Sequence, residues 1–250
     1  MRPLRPLHTL TLVLIAASLL AACSASPAAS PSGPSAVPSA SPSAEPTTIP
    51  FDASLPLMDQ METAIEAGDV TLANAVIDAG YDLETVFSAN VTALQFAVAR
   101  DDVAMVRALL AAGADPDGRA KGSQTPLIMA ASGRSPETIE ALLDGGADTL
   151  LGDPALFGAT ALHWAAYRGN VSAITTLLEN GVDIDVLETT EGTPLIYAAI
   201  AGRTEAAQYL VDHGANLDLR DTANASALEW AQARNHDDIV QLLLDAGATP

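Results

Sequence analysis

Three acidic pairs, Asp82 with Glu84, Asp115 with Asp117 and Asp183 with Asp185, stand at alternate positions in short polar stretches. Clustered carboxylate oxygens are what calcium takes as ligands. The pairs lack the glycine and the terminal glutamate of a calcium loop, however, and they recur at matching points of a long period. They therefore read as solvated carboxylates of a repeated turn, with no metal. His163 has no cysteine, second histidine or carboxylate at ligand spacing on its helix, so a structural role is expected for it. His213 and His236 fall singly at helix ends or turns. No glycine-x-serine-x-glycine, P-loop, histidine-glutamate-x-x-histidine or dinucleotide fingerprint occurs. The residues give no catalytic site and no cofactor, and the chain reads as a non-enzyme. One thiol remains, that of Cys23, the only cysteine.

These side chains must be positioned by repeated elements. Ala64, Ala97, Ala130, Ala165, Ala198 and Ala231 recur at 33-residue intervals, with one of 35. Each is followed by a glycine sixteen residues later: Gly80, Gly113, Gly146, Gly181, Gly214 and Gly247. Such a period means one supersecondary unit stacked six times into an elongated solenoid. Thr92, Thr125, Thr160, Thr193 and Ser226 each precede an Ala-Leu or Pro-Leu pair, as hydroxyl N-caps that open a first helix. Asp59 is the expected cap in the first unit. Gly68, Gly169 and Gly202 mark the following turns, and second helices such as Val103–Leu110 or Ile239–Leu244 show apolar residues at helical spacing. Ser135, Pro136 and Glu137 supply cap, proline and first-turn acid to the second helix of the third unit. The periodic glycines suit the left-handed residue that closes a helix.

The threonine-proline-leucine openings, alanine pairs, leucine pairs and the Gly113-Ala114-Asp115, Gly146-Ala147-Asp148 and Gly214-Ala215-Asn216 endings resemble ankyrin repeats. Gly181-Val182-Asp183 and Gly80-Tyr81-Asp82 depart at the alanine. The resemblance covers about residues 55–250. It implies an all-α repeat solenoid of six helix-turn-helix units joined by short β-hairpin loops, at about residues 59–87, 88–120, 121–153, 154–188, 189–221 and 222–250. It also implies that His163 uses its imidazole for hydrogen bonds between loops and helices, and that hairpin tips and first helices build a concave binding face. The first and last units depart from the pattern as terminal caps would.

Residues 1–22 read as an export signal: Arg2 and Arg5 precede an apolar run that ends Leu20-Ala21-Ala22-Cys23. This resembles a bacterial lipoprotein signal with its lipobox, which implies diacylglycerol on the Cys23 sulfur and cleavage of the Ala22-Cys23 bond, often with N-acylation. The alternative is simple secretory cleavage after Ala22, leaving a free thiol. The run is too short for a membrane span of about 20 residues, whereas two or three acyl chains anchor stably. Residues 23–53 form a tether: Ser24 to Pro50 holds seven prolines, eight serines and six alanines, with Glu45 its only charge. Such a composition predicts an extended spacer and also permits O-glycosylation. The folded part is then residues 54–250.

The formal charge is -20, with 31 acidic and 11 basic residues. Nucleic acid and anionic lipid are repelled by such a chain. The expected partner is an extracytoplasmic protein, bound by a monomer held to the membrane through its lipid. Arg100, Arg168 and Arg234 occupy one position of units two, four and six, and form either a docking stripe or pairs with aspartates such as Asp69, Asp101 or Asp102. Trp164 and Trp230 share another position, where packing between units is expected. The 35-residue interval places an insertion at Asp148–Ala159, whose Leu150, Leu151, Leu156 and Phe157 either fold back or offer a contact patch. With Tyr167 and Arg168 they make the fourth unit the expected binding site. The leading reading is a scaffold or docking factor. An inhibitor or immunity-type protein that occludes an enzyme or toxin is the alternative.

Overall fold

A computed structural model of the chain describes residues 48–249. Cys23, the signal segment and most of the tether lie outside the described residues. Among the described residues twelve α-helices follow one another in six pairs: α1 Leu57–Ala67 and α2 Val70–Asp78, α3 Ala93–Ala99 and α4 Val103–Ala111, α5 Pro126–Ala131 and α6 Pro136–Asp144. The remaining pairs are α7 Ala161–Arg168 and α8 Val171–Glu179, α9 Pro194–Ala201 and α10 Thr204–Asp212, α11 Ala227–Arg234 and α12 Asp237–Asp245. Each first helix packs on the first helices before and after it, and each second helix does the same in a parallel layer. Neither layer can bury its apolar stripe alone, so stacking supplies the core.

The reason for the 33-residue alanine period lies at the packing surface. All six periodic alanines are fully buried in the first helices, where a larger side chain would separate neighbouring units. Leu72, Val76, Met105, Leu109, Ile139, Leu142, Ile174, Leu177, Leu210, Ile239 and Leu243 supply bulk from the second layer. The periodic glycines have φ between 82° and 96°, a region that a Cβ disfavours, and they end every second helix.

Thr92, Thr125, Thr193 and Ser226 cap as expected, each hydroxyl accepting the N–H three residues on. The first unit is different. Helix α1 starts at Leu57 after Pro56, and Asp59 lies within its first turn and not at the cap. Pro56 is extended at φ -56° and ψ 134°, and the helix begins three residues before the register of the other units predicts. Ser135 holds the N-cap position of α6, yet its side chain makes no capping bond. It donates instead to Asp101 of the preceding unit, which also accepts Ser135 N and, at 2.6 Å, the Thr138 hydroxyl. These hydrogen bonds outweigh burial and hold the Asp101 carboxyl below its ordinary range.

The hairpins carry no strand ladder among the described residues. Their loops close on themselves through single bonds, such as Phe87 N to Val91 O at 2.8 Å and Asp221 N to Ala225 O at 3.1 Å. One isolated antiparallel bridge pairs Asp153 with Ala159.

Candidate functional site

The loops between units form a row along one edge of the stack, and the acidic pairs hold that row together. The carboxylate of Glu84 accepts the N–H of Asp115 in the next loop at 3.0 Å. Asp117 accepts Asp148 N at 3.0 Å, and Asp185 accepts Asn216 N, again at 3.0 Å. Asp218 accepts Thr249 N and its hydroxyl at 3.5 and 3.2 Å. The first acid of a pair meanwhile closes its own turn, as Asp115 does by accepting Asp117 N. These carboxylates are therefore structural acceptors rather than freely solvated groups. Burial raises the carboxyl pKa of both Asp117 and Asp185, with neighbouring aspartates adding to it. Among the described residues, no group of three histidine, cysteine or acidic side chains is placed to hold a metal ion.

One rung is missing. At the register of Glu84, Asp117, Asp185 and Asp218 the third loop has Leu150, which is 66% exposed and cannot accept a hydrogen bond. This is the loop lengthened by two residues, and it is tied in another way. Asp153, 3% exposed, accepts Ala155 N and Gln124 Nε2, both at 2.8 Å. Arg119 donates to Gly152 O. A side chain on Gly152 would meet the Gly158 carbonyl at 2.0 Å, so the two arms of the loop close only over a glycine. At the tip, Ala159 N bonds Leu156 O across Phe157 and Gly158, whose φ values are 51° and 78°. Two left-handed central residues define a type I′ turn, which favours asparagine-glycine; phenylalanine there is strained. The Phe157 carbonyl accepts from Thr189 N at 3.0 Å and from the Thr189 hydroxyl, which joins the third loop to the fourth.

The insertion thus both folds back and projects. Leu156 packs on the core and Leu151 is half-buried, whereas Leu150 and Phe157 stay exposed. Tyr167 is half-buried in the last turn of α7, edge-on to Trp164 at 6.0 Å and Tyr197 at 6.5 Å. Arg168 beside it is exposed and forms no ion pair among the described residues. Phe157 precedes α7 while Tyr167 and Arg168 end it, so they stand at opposite ends of that helix, about 10 Å apart along its axis. Arg100 donates to Glu66 O of the preceding unit at 2.7 Å and pairs with none of the nearby aspartates. Arg234 lies with its guanidinium 5.8 Å from the Trp230 ring. Trp164 and Trp230 are both at least nine-tenths buried, as packing between units requires.

His163 is fully buried and makes the expected bridge. Its Nδ1 accepts Thr160 N at 3.2 Å, and its Nε2 donates to Gly192 O of the next loop at 3.0 Å. Only the neutral ring satisfies both contacts, and burial holds its pKa below the ordinary value. Gln95 does the same work two units earlier: Oε1 accepts Thr92 N at 2.9 Å and Nε2 donates to Gln124 O at 2.7 Å. Residues that the sequence analysis did not single out are the buried loop acids Asp153 and Glu188, and Asp221. Glu188 accepts Thr190 N and Gly192 N, while Asp221 accepts Ala225 N and Trp230 Nε1. Their recurrence at 35 and 33 residues was the available signal.

The paired helices, the capped openings and the rungs between loops are those of an ankyrin array, and comparison with known proteins agrees. The family described as "Ankyrin repeats (3 copies)" matches residues 61–153, 96–188 and 162–250. The chain belongs to the ankyrin repeat family, whose arrays are protein–protein interaction modules. Among solved structures it is similar to the ankyrin repeat domain of Bcl-3, described as a unique member of the IkappaB protein family. That match has 30% identity and a TM-score of 0.67, and covers 76% of this chain and 86% of the other. It is also similar to the human ASB11 ankyrin repeat domain, at 29% identity and a TM-score of 0.65 over 76% of this chain and 84% of the other. No curated protein sequence matches the chain.

Proposed function

We propose that the protein is a non-enzymatic docking or scaffold factor, lipid-anchored through Cys23 on the extracytoplasmic face of a bacterial membrane, which presents its repeat array to another protein. The observation that carries the interaction site is Phe157: a bulky, 38% exposed aromatic held at φ 51° on the tip of the one lengthened loop. Aromatics displayed on a fixed backbone lose little freedom on binding, and they dominate interface energies. Arg168 and the exposed Leu150 extend the candidate surface around the fourth unit. The charge of -20 favours a basic target and rapid, salt-sensitive association, which also suits the inhibitor reading.

Two measurements test the proposal. Wild-type protein should incorporate labelled fatty acid and Cys23→Ala should not; absence of label from the wild type removes the anchor. A photocrosslinking residue at position 157 should form adducts with a second protein in membranes, and one at exposed Glu140 on α6 should not. Equal yields from both positions would remove the fourth-unit site.

A further inference from the structure

The segment entering the first unit has an unusual combination of features. It is held firmly: Ile49 N donates to Asp69 Oδ2 at 2.7 Å, Asp52 N to Gln60 Oε1 at 2.9 Å, and Gln60 Nε2 back to the carbonyls of Asp52 and Leu55. Asp52 closes its own turn by accepting Ser54 N and the Ser54 hydroxyl. A strap fastened in this way over the end of a solenoid normally buries its apolar side chains against the terminal unit. Here Ile49, Phe51, Leu55 and Met58 remain 37%, 37%, 52% and 40% exposed, four of the nine large exposed apolar residues among the described residues, all within ten positions. Fixing a backbone while leaving such side chains in water is the arrangement of a surface prepared for a partner.

Charge identifies the partner. From Thr48 to Ala99 the chain carries eight carboxylates and no lysine, arginine or histidine. The nearest cation, Arg100, bonds the carbonyl of Glu66 at the far end of α1 from Leu55 and Met58. A second copy stacking head to tail would bring up the sixth unit, where residues 222–250 hold four carboxylates against one arginine. Like charges would face each other. An anionic lipid surface is repelled in the same way. The chain's own residues 24–47 offer no cation and a single large apolar side chain, Val37. We infer that this N-terminal face is a second docking surface, separate from the loops of the fourth unit, and that it takes a basic segment of another protein with apolar side chains along one face. The apolar side chains of that segment would cover Ile49, Phe51, Leu55 and Met58, and its lysines or arginines would meet the surrounding carboxylates.

The test uses the full chain and a synthetic peptide of leucine and lysine at helical spacing. The peptide should bind, and raising salt from about 50 to 500 mM should weaken it severalfold. Leu55→Ser with Met58→Ser should weaken it by about tenfold or more, while Leu150→Ser should stay within about twofold of the parent. A photoreactive form of the peptide should label residues 49–58 of the unaltered protein, which needs no variant to fold. Labelling confined to other regions, unchanged affinity of the double variant, or equal binding of a peptide with glutamate in place of lysine would overturn the inference. So would parent self-association, seen by sedimentation, that the double variant abolishes. None of these outcomes bears on crosslinking from position 157.

Discussion

The second and third loops are joined differently from the third and fourth. Between the second and third, Asp117 reaches across and accepts Asp148 N, while Gln124 bonds the buried Asp153. Between the third and fourth, Leu150 stands where the carboxylate should be, and the link moves out to the loop tip, where Thr189 donates to the Phe157 carbonyl. The difference shows what two inserted residues do in a periodic array. The stack keeps its alanine contacts unchanged, with Ala130 and Ala165 both fully buried. The misfit is absorbed at the edge, where it produces one unsupported leucine and one strained phenylalanine. The regular rungs consume their polar groups in holding neighbours, whereas the lengthened loop leaves Leu150 and Phe157 exposed.

Removing what now anchors the long loop should have the greatest effect on stability. Asp153→Ala should cost about 2 kcal/mol in urea or thermal unfolding, since it empties a buried position and takes the acceptors from Ala155 N and the Gln124 amide, both part-buried bonds. Asp117→Ala, at a half-buried rung, should cost about 1 kcal/mol. If the two losses are equal, the insertion has no special anchorage.

His163 separates the two joints by pH. Its pKa is lowered by burial, so the folded state holds it neutral. A group depressed in this sense supports stability fully above its unfolded value of 6.5, and that contribution is lost as pH falls toward the folded value. Stability should therefore decline below pH 6.5 at up to about 1.4 kcal/mol per unit from this one group. His163→Gln should flatten that decline and leave the pH 7.5 value within about 1 kcal/mol, because Gln95 already performs the same bridge. An unchanged slope in that variant would show that the buried ring is not the titrating group.

Phe157→Asn addresses the strain directly. A left-handed residue with a Cβ costs on the order of 1 to 2 kcal/mol, and asparagine tolerates that conformation best after glycine. Loss of the partly buried ring offsets some of the gain, so the variant should be more stable by about 0.5 to 1 kcal/mol. Its crosslinked or titrated partner should bind less well. A destabilised variant would mean that the ring anchors the loop instead of being displayed by it.

How much of this was legible in the sequence follows from the range of each interaction. The alanine and glycine periods and most of the hydroxyl caps are local, and each is decided within one turn of backbone, so they read correctly at Thr92, Thr125, Thr193 and Ser226 but not at Ser135, whose hydroxyl turns to Asp101 of the preceding unit. The rungs are not local. Nothing in Asp117 itself says that its acceptor oxygens face the N–H of residue 148, and the acid pairs therefore looked solvated. Asp59 misled for a related reason: the register transferred from other units assumed a threonine-like cap, whereas Pro56 starts α1 earlier. The left-handed Phe157 was concealed because its side chain contradicts the turn it occupies, although Gly158 after it was a usable hint.

The smallest expected effect tests the missing rung itself. Restoring an acceptor at position 150 should let the third loop take up Asp183 N, to which no side chain or carbonyl is bonded among the described residues. Leu150→Asn should add about 0.5 kcal/mol, with no dependence on pH, because its amide oxygen accepts without charge. Leu150→Asp would sit beside Asp148 and Asp183, as Asp117 sits beside Asp115 and Asp148. Asp117 and Asp185 at that register have carboxyl pKa values raised, first by burial and then by their neighbours. A raised carboxyl supports the fold below its unfolded pKa, near 3.8, and loses that support as pH climbs through the folded value. Leu150→Asp should therefore gain less than Leu150→Asn at pH 7 and match it near pH 4, read as the difference between their unfolding midpoints. If the aspartate variant is the more stable of the two at neutral pH, the rungs draw on charge, and burial is not what sets their strength.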